Sequence, residues 1–370
     1  MKITCSQSEL LKGVNIVSKA VPTRTTMPVL ECILVDASKG QIVMTANDME
    51  IGIETIVDGT IHEPGIIALD AKFFGEVIRK LPSSDVTITV DERFQTRIVC
   101  ESTDFSITGK SGEDFAKIPT VTRNNPVIIS QFTLRELVRQ TSFTITDFNQ
   151  ANKMMTGELF EITGDMLKVV ALDTSRISIR NIKLKESYDN KKVIVPAKAL
   201  NEISKIICGG TEDMVEIFFN DNHIIFEFEN TTVVSRLIEG EFFNIDHMFS
   251  GSYDTKMTIN KKQLLDSIDR STLMLFKEAE KKPIVMDIDD MKVTLSMNSF
   301  IGKMKDEILI GKTGKDLRIG FNPKFFLDAL RVIDDDEITA YFVDHRSPCF
   351  IKNEDESYIY VILPVNIQEE

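Results

Sequence analysis

Apolar residues along this chain recur with two periods. Val86-Thr87-Ile88-Thr89-Val90, Ile224-Ile225-Phe226-Glu227-Phe228 and Lys292-Val293-Thr294-Leu295-Ser296-Met297 read as half-buried strands, because successive side chains of a strand point to opposite faces. Phe74 and Leu81, Leu200 and Ile207, and Phe326 and Ile333 stand seven apart. That spacing puts each pair on one face of a helix. Turn-forming triplets punctuate the strands: Ser38-Lys39-Gly40, Thr163-Gly164-Asp165 and Asp221-Asn222-His223. The mixture predicts an α+β chain rich in antiparallel strands.

The pattern then repeats. Leu69-Asp70-Ala71-Lys72-Phe73-Phe74 stands 126 residues before Val195-Pro196-Ala197-Lys198-Ala199-Leu200, which stands 126 residues before Phe321-Asn322-Pro323-Lys324-Phe325-Phe326. In each copy a short β-rich run leads to a small or proline position, then a lysine, then an amphipathic stretch. Pro196 and Pro323 are expected in the first helical turn, where no intrahelical partner for the N–H is lost. A second helix opens each copy. Ser8 to Lys19 follows the strand around Ile3, Thr133 to Phe143 follows Val127-Ile128-Ile129, and Lys261 to Leu275 follows Met257-Thr258-Ile259. Leu10, Leu134 and Leu264 occupy matching places. Equal spacing twice over is hard to obtain by chance. The 370 residues therefore predict three like domains, 1–123, 124–250 and 251–370. Arg123-Asn124-Asn125-Pro126 and Phe249-Ser250-Gly251-Ser252 mark the boundaries.

Charge sharpens this picture. With 43 Lys and Arg against 57 Asp and Glu, the formal net charge is −14. Taken alone, that argues against nucleic acid, whose affinity comes mainly from basic side chains neutralising phosphates. The repeats reverse the argument. Lys72, Lys198 and Lys324 are equivalent positions, as are Arg79, Lys205 and Arg331 seven residues on, and acid takes none of the six. A lysine in a helix's first turn opposes the macrodipole and gains nothing locally, yet it recurs three times. The opening helices add Lys12 and Lys19, Arg135 and Arg139, and Lys262 and Arg270. Such side chains make diffuse phosphate contacts without reading bases. The chain carries no zinc-finger, basic-zipper or RNP motif.

Other chemistry is sparse. The five cysteines (5, 32, 100, 208, 349) and four histidines (62, 223, 247, 345) are scattered, so the cysteines read as reduced core residues and no metal site is expected. Gly311-Lys312-Thr313 ends like a phosphate-binding loop, but Asp306 stands where such a loop needs glycine. Asp287-Ile288-Asp289-Asp290 and Asp334-Asp335-Asp336-Glu337 read as solvated turns between elements. No apolar run approaches the roughly 18 residues of a membrane span. The start, Met1-Lys2-Ile3-Thr4-Cys5, lacks the design of a signal peptide. A cytoplasmic protein without cofactor is expected.

Met1-Lys2-Ile3, the Arg24 to Pro28 segment, His62-Glu63-Pro64-Gly65, Leu172-Asp173-Thr174-Ser175-Arg176, Val193-Ile194-Val195-Pro196, Gly320-Phe321-Asn322 and Tyr360-Val361-Ile362-Leu363-Pro364 together resemble the β subunit of bacterial DNA polymerase III, the sliding-clamp family. The resemblance covers the whole chain. It implies three domains with helices facing a channel and sheets outside, joined head to tail as a homodimeric ring around double-stranded DNA. Such a clamp has no catalytic site of its own. An ATP-driven clamp loader opens it, and the polymerase III catalytic subunit and other proteins bind it through a short hydrophobic motif. Matched position by position, the channel residues are Arg24, Lys72, Arg79, Asn149, Lys198, Lys205, Lys324 and Arg331. The peptide pocket is Met155, Leu172, Thr174, Ser175, Arg176, Ile177, Phe243, Met248, Val361, Ile362, Leu363, Pro364 and Val365. At the dimer interface Phe105 meets Met274 and Leu275 of the other copy. Thr174-Ser175 replaces a common Gly-His, Phe243 stands where relatives often have proline, and Asn366 stands where they have arginine. A paired aromatic is missing at Lys153-Met154, and Gln368-Glu369-Glu370 extends the end. Two other classes compete with this reading: a repeat scaffold that binds proteins but not DNA, and a metal-dependent enzyme acting on nucleic acid.

Overall fold

The computed structural model describes residues 1–145, 152–249, 251–275 and 282–367. The chain forms two compact units, Met1–Leu134 with Ala199–Leu237 and Arg135–Lys198 with Ile238–Glu370. In chain order the first repeat holds β1 (Lys2–Ser6), α1 (Gln7–Val17), β2 (Cys32–Asp36), β3 (Ile42–Asn47), β4 (Ile51–Val57), β5 (Thr60–Glu63), β6 (Ile66–Asp70), α2 (Ala71–Lys80), β7 (Asp85–Val90), β8 (Gln95–Cys100), β9 (Thr103–Thr108) and the short β10 (Lys110–Ser111). The second holds β11 (Val127–Ser130), α3 (Gln131–Thr141), β12 (Gly157–Leu172), β13 (Arg176–Pro196), α4 (Ala197–Ser204), β14 (Met214–Phe219), β15 (His223–Phe228) and β16 (Thr231–Arg236). The third holds β17 (Thr255–Asn260), α5 (Lys261–Ser271), β18 (Ile284–Ile288), β19 (Lys292–Ser299), β20 (Gly302–Leu309), β21 (Gly311–Gly314), β22 (Leu317–Phe321), α6 (Pro323–Val332), β23 (Glu337–Phe342), β24 (Cys349–Lys352) and β25 (Tyr358–Ile362).

The three opening helices start by the same device. A strand ends in a residue whose side-chain oxygen accepts from a backbone N–H of the first turn: Ser6 from Glu9 at 3.2 Å, Ser130 from Thr133 at 3.0 Å, and Asn260 from Gln263 at 3.0 Å. Each such cap is worth about 1 kcal/mol. All three helices then tighten into a 3-10 turn, at Ser18–Ala20, Ser142–Thr144 and Thr272–Leu275. Among the second helices, Asp70 caps α2 by accepting from Phe73 N and Asn322 caps α6 by accepting from Lys324 N. Pro323 opens α6 as expected. Pro196 does not sit inside α4. It is the last residue of β13, opposite Gly157, because a fixed proline φ also suits a strand end.

Unit 1 contains the sheets β5-β1-β7-β8-β9 and β10-β6-β2-β3-β4-β16-β15-β14-β11, and unit 2 contains β12-β13-β25-β24-β23-β17-β21 and β20-β19-β18-β22. Their pairing follows one rule. The last strand of the second repeat, β16, pairs antiparallel with the fourth strand of the first, β4. The last strand of the third, β25, pairs antiparallel with the start of β13, which holds in the second repeat the place of β4. Here β12 fuses the counterparts of β2 and β3. Thr163-Gly164-Asp165 turns the chain between these halves, since Ala171 packs beside Ala197, next to the Pro196 that lies opposite Gly157. Gly164 takes φ +60° there, and Gly40, its counterpart between β2 and β3, takes φ +83°.

The cores lie between sheets and helices. Phe321, Phe326 and Phe342 are fully buried in the third repeat, packed with Ile259, Leu264 and Ile268. The strand around Ile224 is covered on both faces, not one. Ile224, Ile225 and Phe226 are all buried, and Ile118 and Val121 of the connection between β10 and β11 pack over the Ile225 face. Cys5, Cys32, Cys100 and Cys349 are buried as expected, whereas Cys208 is exposed in the loop after α4. Asp287 lies inside β18, paired to Arg318 at 2.9 Å, and not in a turn. Gly311-Lys312-Thr313 forms strand β21. No described helix is long and apolar enough to cross a membrane.

One buried acid stands out. Glu158 of β12 is fully buried. Its only hydrogen-bond partner among the described residues is Thr141, 2.6 Å from Oε2, and Oε1 has none. Burial pushes its carboxyl up to about 8, against the weaker downward pull of the Thr141 hydroxyl. A protonated carboxyl completes a relay: Glu158 donates to Thr141 Oγ1, and Thr141 donates to the Leu137 carbonyl at 2.7 Å. Because the folded value lies above the ordinary 4.5, the stabilisation is complete below about pH 4.5 and is lost as pH rises through about 8. Glu158→Gln should therefore unfold at higher denaturant than the wild type at pH 9, with the difference closing towards pH 5. Parallel denaturant midpoints across that range would refute the assignment.

Candidate functional site

The basic residues singled out by the repeats occupy equivalent places. Lys72, Lys198 and Lys324 are each the second residue of their helix, and all are exposed. Lys72 and Lys324 make no ion pair among the described residues. Arg79 and Arg331 are each the ninth helical residue, while Lys205 lies one place beyond the shorter α4. All three are exposed and held by nearby acids: Arg79 by Glu76, Lys205 by Glu202 at 2.7 Å, and Arg331 by Asp269 of α5 at 3.3 Å. Exposed pairs of this kind are worth about 0–1 kcal/mol, so a phosphate can compete for them. The opening-helix cations are engaged more often. Lys12 pairs with Glu229, Arg139 with Glu136 and Asp334, Lys262 with Asp266, and Arg270 with Asp306. Arg24 is exposed in the loop before Pro28. Asn149 lies outside the described residues.

The apolar candidates gather on one face of the seven-stranded sheet. Leu172 lies opposite Ile177, Ile177 opposite Val361, and Val361 opposite Phe350. Met155, Phe243 and Met248 pack against this row from the connections outside the sheet. Thr174 is exposed at the tip of the β12–β13 turn. Asp173 Oδ1 shapes that turn by accepting from Ser175 N at 2.8 Å and Arg176 N at 3.0 Å. Beyond β25 the chain stays tied: Leu363 N donates to the Ser175 carbonyl and Val365 N to the Gly320 carbonyl, both at 2.9 Å. Leu363 and Pro364 are half-buried and Val365 is exposed.

Two residues of the expected pocket do not join this group. Ile362 faces the opposite side of the sheet and belongs to the core around Phe326, as the strand alternation after Val361 requires. The Arg176 side chain is 2% exposed, between Asp173 at 3.1 Å and Asp328 at 2.7 Å. It donates to the Phe143 carbonyl at 2.9 Å and lies 4.6 Å from the Phe325 ring centre.

The comparisons with known proteins follow the same threefold division. The description "DNA polymerase III beta subunit" matches with its N-terminal domain over residues 1–119, its central domain over 128–244 and its C-terminal domain over 247–366. The chain belongs to the DNA polymerase III beta subunit family. It is 33% identical to the beta sliding clamp of Staphylococcus epidermidis across 99% of each chain. The crystal structure of a Eubacterium rectale chain assigned as a DNA polymerase III beta subunit is 61% identical, with a TM-score of 0.97 over 99% of this chain and 100% of that one. The sliding clamp of Bacillus subtilis is 30% identical, with a TM-score of 0.95 over the full length of both. Membership makes the chain a sliding clamp of three repeated domains, an accessory and not a catalytic subunit.

Of the expected interface residues, Phe105 lies on an edge strand and Met274 and Leu275 on the 3-10 turn after α5. Phe105 is half-buried on β9, the free edge of its sheet. Met274 and Leu275 are half-buried on the third repeat's core, beside β19 and β20. The sequence reading missed the exposed apolar residues of the third repeat. Leu273 is 63% exposed, Phe300 71% and Leu309 76%, with Ile301 also exposed. Phe300 and Ile301 sit at the β19–β20 hairpin tip, where polar turn formers are usual, and that anomaly was readable in advance.

Arg176 has a consequence for stability. Removing one partner of a buried ion pair strands the other and costs about 3–5 kcal/mol. Arg176→Met should lower unfolding free energy by about that amount, and adding Asp328→Leu should recover part of it. Additive losses in denaturant titrations would show that the pair is not coupled.

Proposed function

We propose that two copies of this clamp join head to tail into a ring around double-stranded DNA and hold the polymerase III catalytic subunit and other motif-bearing proteins through the apolar row. The domains of this reading are 1–123, 124–250 and 251–370. The observation that carries it is the pairing rule. Within each unit the last strand of one repeat lies on the fourth strand of the repeat before it. Applying the rule throughout leaves two strands over, β9, the first repeat's counterpart of β16, and β20, the fourth strand of the third, and both are free edges. One copy's β9 laid antiparallel on another's β20 continues the series, brings Phe105 to the Met274 and Leu275 region, and covers Leu309. The contact is heterologous, and two such contacts close a ring of six domains. It also removes two open edges that would otherwise invite unspecific pairing.

Topological linkage relieves the ring of any need for tight DNA binding. Weak contacts from Lys72, Lys198, Lys324, Arg79, Lys205 and Arg331, with Arg24 and Asn149, suit a surface that must move along the duplex. The acidity of the rest of the chain repels DNA elsewhere. The clamp loader opens the ring, and the reading places the protein in the cytoplasm.

Light scattering tests closure. The wild type should have about twice the 41.8 kDa of one chain, and Phe105→Asp should shift it to one. A wild-type monomer at tens of micromolar would refute the ring. A second experiment tests the lysines. Lys72→Gln, Lys198→Gln and Lys324→Gln together should shorten retention on nicked circular DNA several-fold at about 0.15 M salt, with the dimer intact and a shallower salt dependence. Unchanged retention would remove these residues from the DNA surface and favour a protein scaffold.

A further inference from the structure

The row of apolar side chains does not stop at Phe350. Tyr341 lies opposite Phe350, and Lys256 opposite Tyr341. On the next row Lys352 lies opposite Ile359. Over this end of the sheet runs the connection from Ile238 to Asp254. Its first part carries Phe243 and Met248, the outer wall of the apolar row, and sinks Phe242 and Ile245 into the cluster beneath.

What fixes this connection is aromatic. Phe249 meets Phe350 edge-on at 5.8 Å between ring centres. Tyr253 meets Phe350 edge-on at 5.4 Å and lies over Tyr341 at 4.9 Å. The Lys352 ammonium stands 5.4 Å from the centres of both tyrosine rings, and Glu356 holds it on its other side. Only 18% of the Lys352 side chain is exposed. An ammonium so placed attracts the faces of both rings at once. One of those rings belongs to the sheet and the other to the connection. The cation therefore ties the wall to the floor at the Tyr341 end of the apolar row.

We propose that Lys352, with Tyr253 and Tyr341, is a positioning brace: it holds the segment bearing Phe243 and Met248 in the arrangement that a partner's hydrophobic peptide requires. The inference rests on the apolar row being the peptide pocket. Without the brace the wall samples positions in which the groove is closed or incomplete, and the apparent affinity falls with the fraction of competent protein. A loss of that kind lowers the observed association rate and leaves dissociation unchanged. A side chain that touched the peptide would instead raise the dissociation rate.

The test uses the full-length clamp and a fluorescein-labelled peptide containing the clamp-binding segment of the cognate replicative polymerase. Stopped-flow anisotropy gives both rates, and hydrogen exchange follows backbone amides 242–249. Lys352→Met should slow association about three- to tenfold, keep the dissociation rate within twofold, and speed exchange in that segment. Lys352→Arg should restore both readouts, since a guanidinium can cover the same rings. Tyr253→Leu should reproduce the loss and Tyr253→Phe should not, which keeps the test open should Lys352→Met fold poorly. Wild-type rates and exchange in both Lys352→Met and Tyr253→Leu would overturn the brace, as would a change confined to dissociation. Failure of the wild type itself to bind the peptide would instead overturn the pocket beneath it.

Discussion

The structure depends on the backbone ladder between repeats. A strand with an unpaired row of N–H and C=O groups is a liability in water and a template for wrong partners. Each repeat here is finished by its successor: β16 closes the edge of β4, and β25 closes the edge of β13. The rest follows. Sheets of nine and seven strands arise because the repeats fuse their sheets. The apolar row exists because β25 brings Val361 beside Ile177. The third repeat's core and that row are two faces of one sheet, with Tyr360 and Ile362 on one side and Ile359 and Val361 on the other.

The two classes of surface follow different physics. Five of the six equivalent cations stand on helices and Lys205 lies just beyond one, and Arg79, Lys205 and Arg331 make weak, exposed ion pairs. Arg176 has the same chemistry but is buried, with two carboxylates and an aromatic ring around it. Burial converts it from a recognition group into a structural one. Lys352 is intermediate, partly covered and bound to rings as much as to acid.

Much of the fold was legible because periodicity and repetition are local properties. The opening helices appear within two residues of their expected starts, and the lysines at 72, 198 and 324 share one helical position. What was not legible depends on partners distant in sequence. Glu158 reads as an ordinary surface acid in an alternating strand, and only the packing of Thr141 and its neighbours makes it buried. The resemblance implied Arg176 and Ile362 as pocket residues, yet both side chains lie on the face of the sheet opposite Ile177 and Val361. The cation between Tyr253 and Tyr341 unites residues 88 apart in the chain, with a third contributor between β24 and β25.

Strand sharing also separates two ideas that the word domain usually joins. The stretch that is repeated in sequence is not the stretch that hangs together. The compact unit containing the first repeat takes in Ala199–Leu237 of the second, because β16 lies on β4. A fragment cut after the first repeat would expose a seven-residue edge that β16 covers in the intact chain. Duplication could copy the sequence in steps of 126 residues, but cooperativity is distributed across the joins. Dissecting this protein at the seams of its sequence would therefore cut through its sheets.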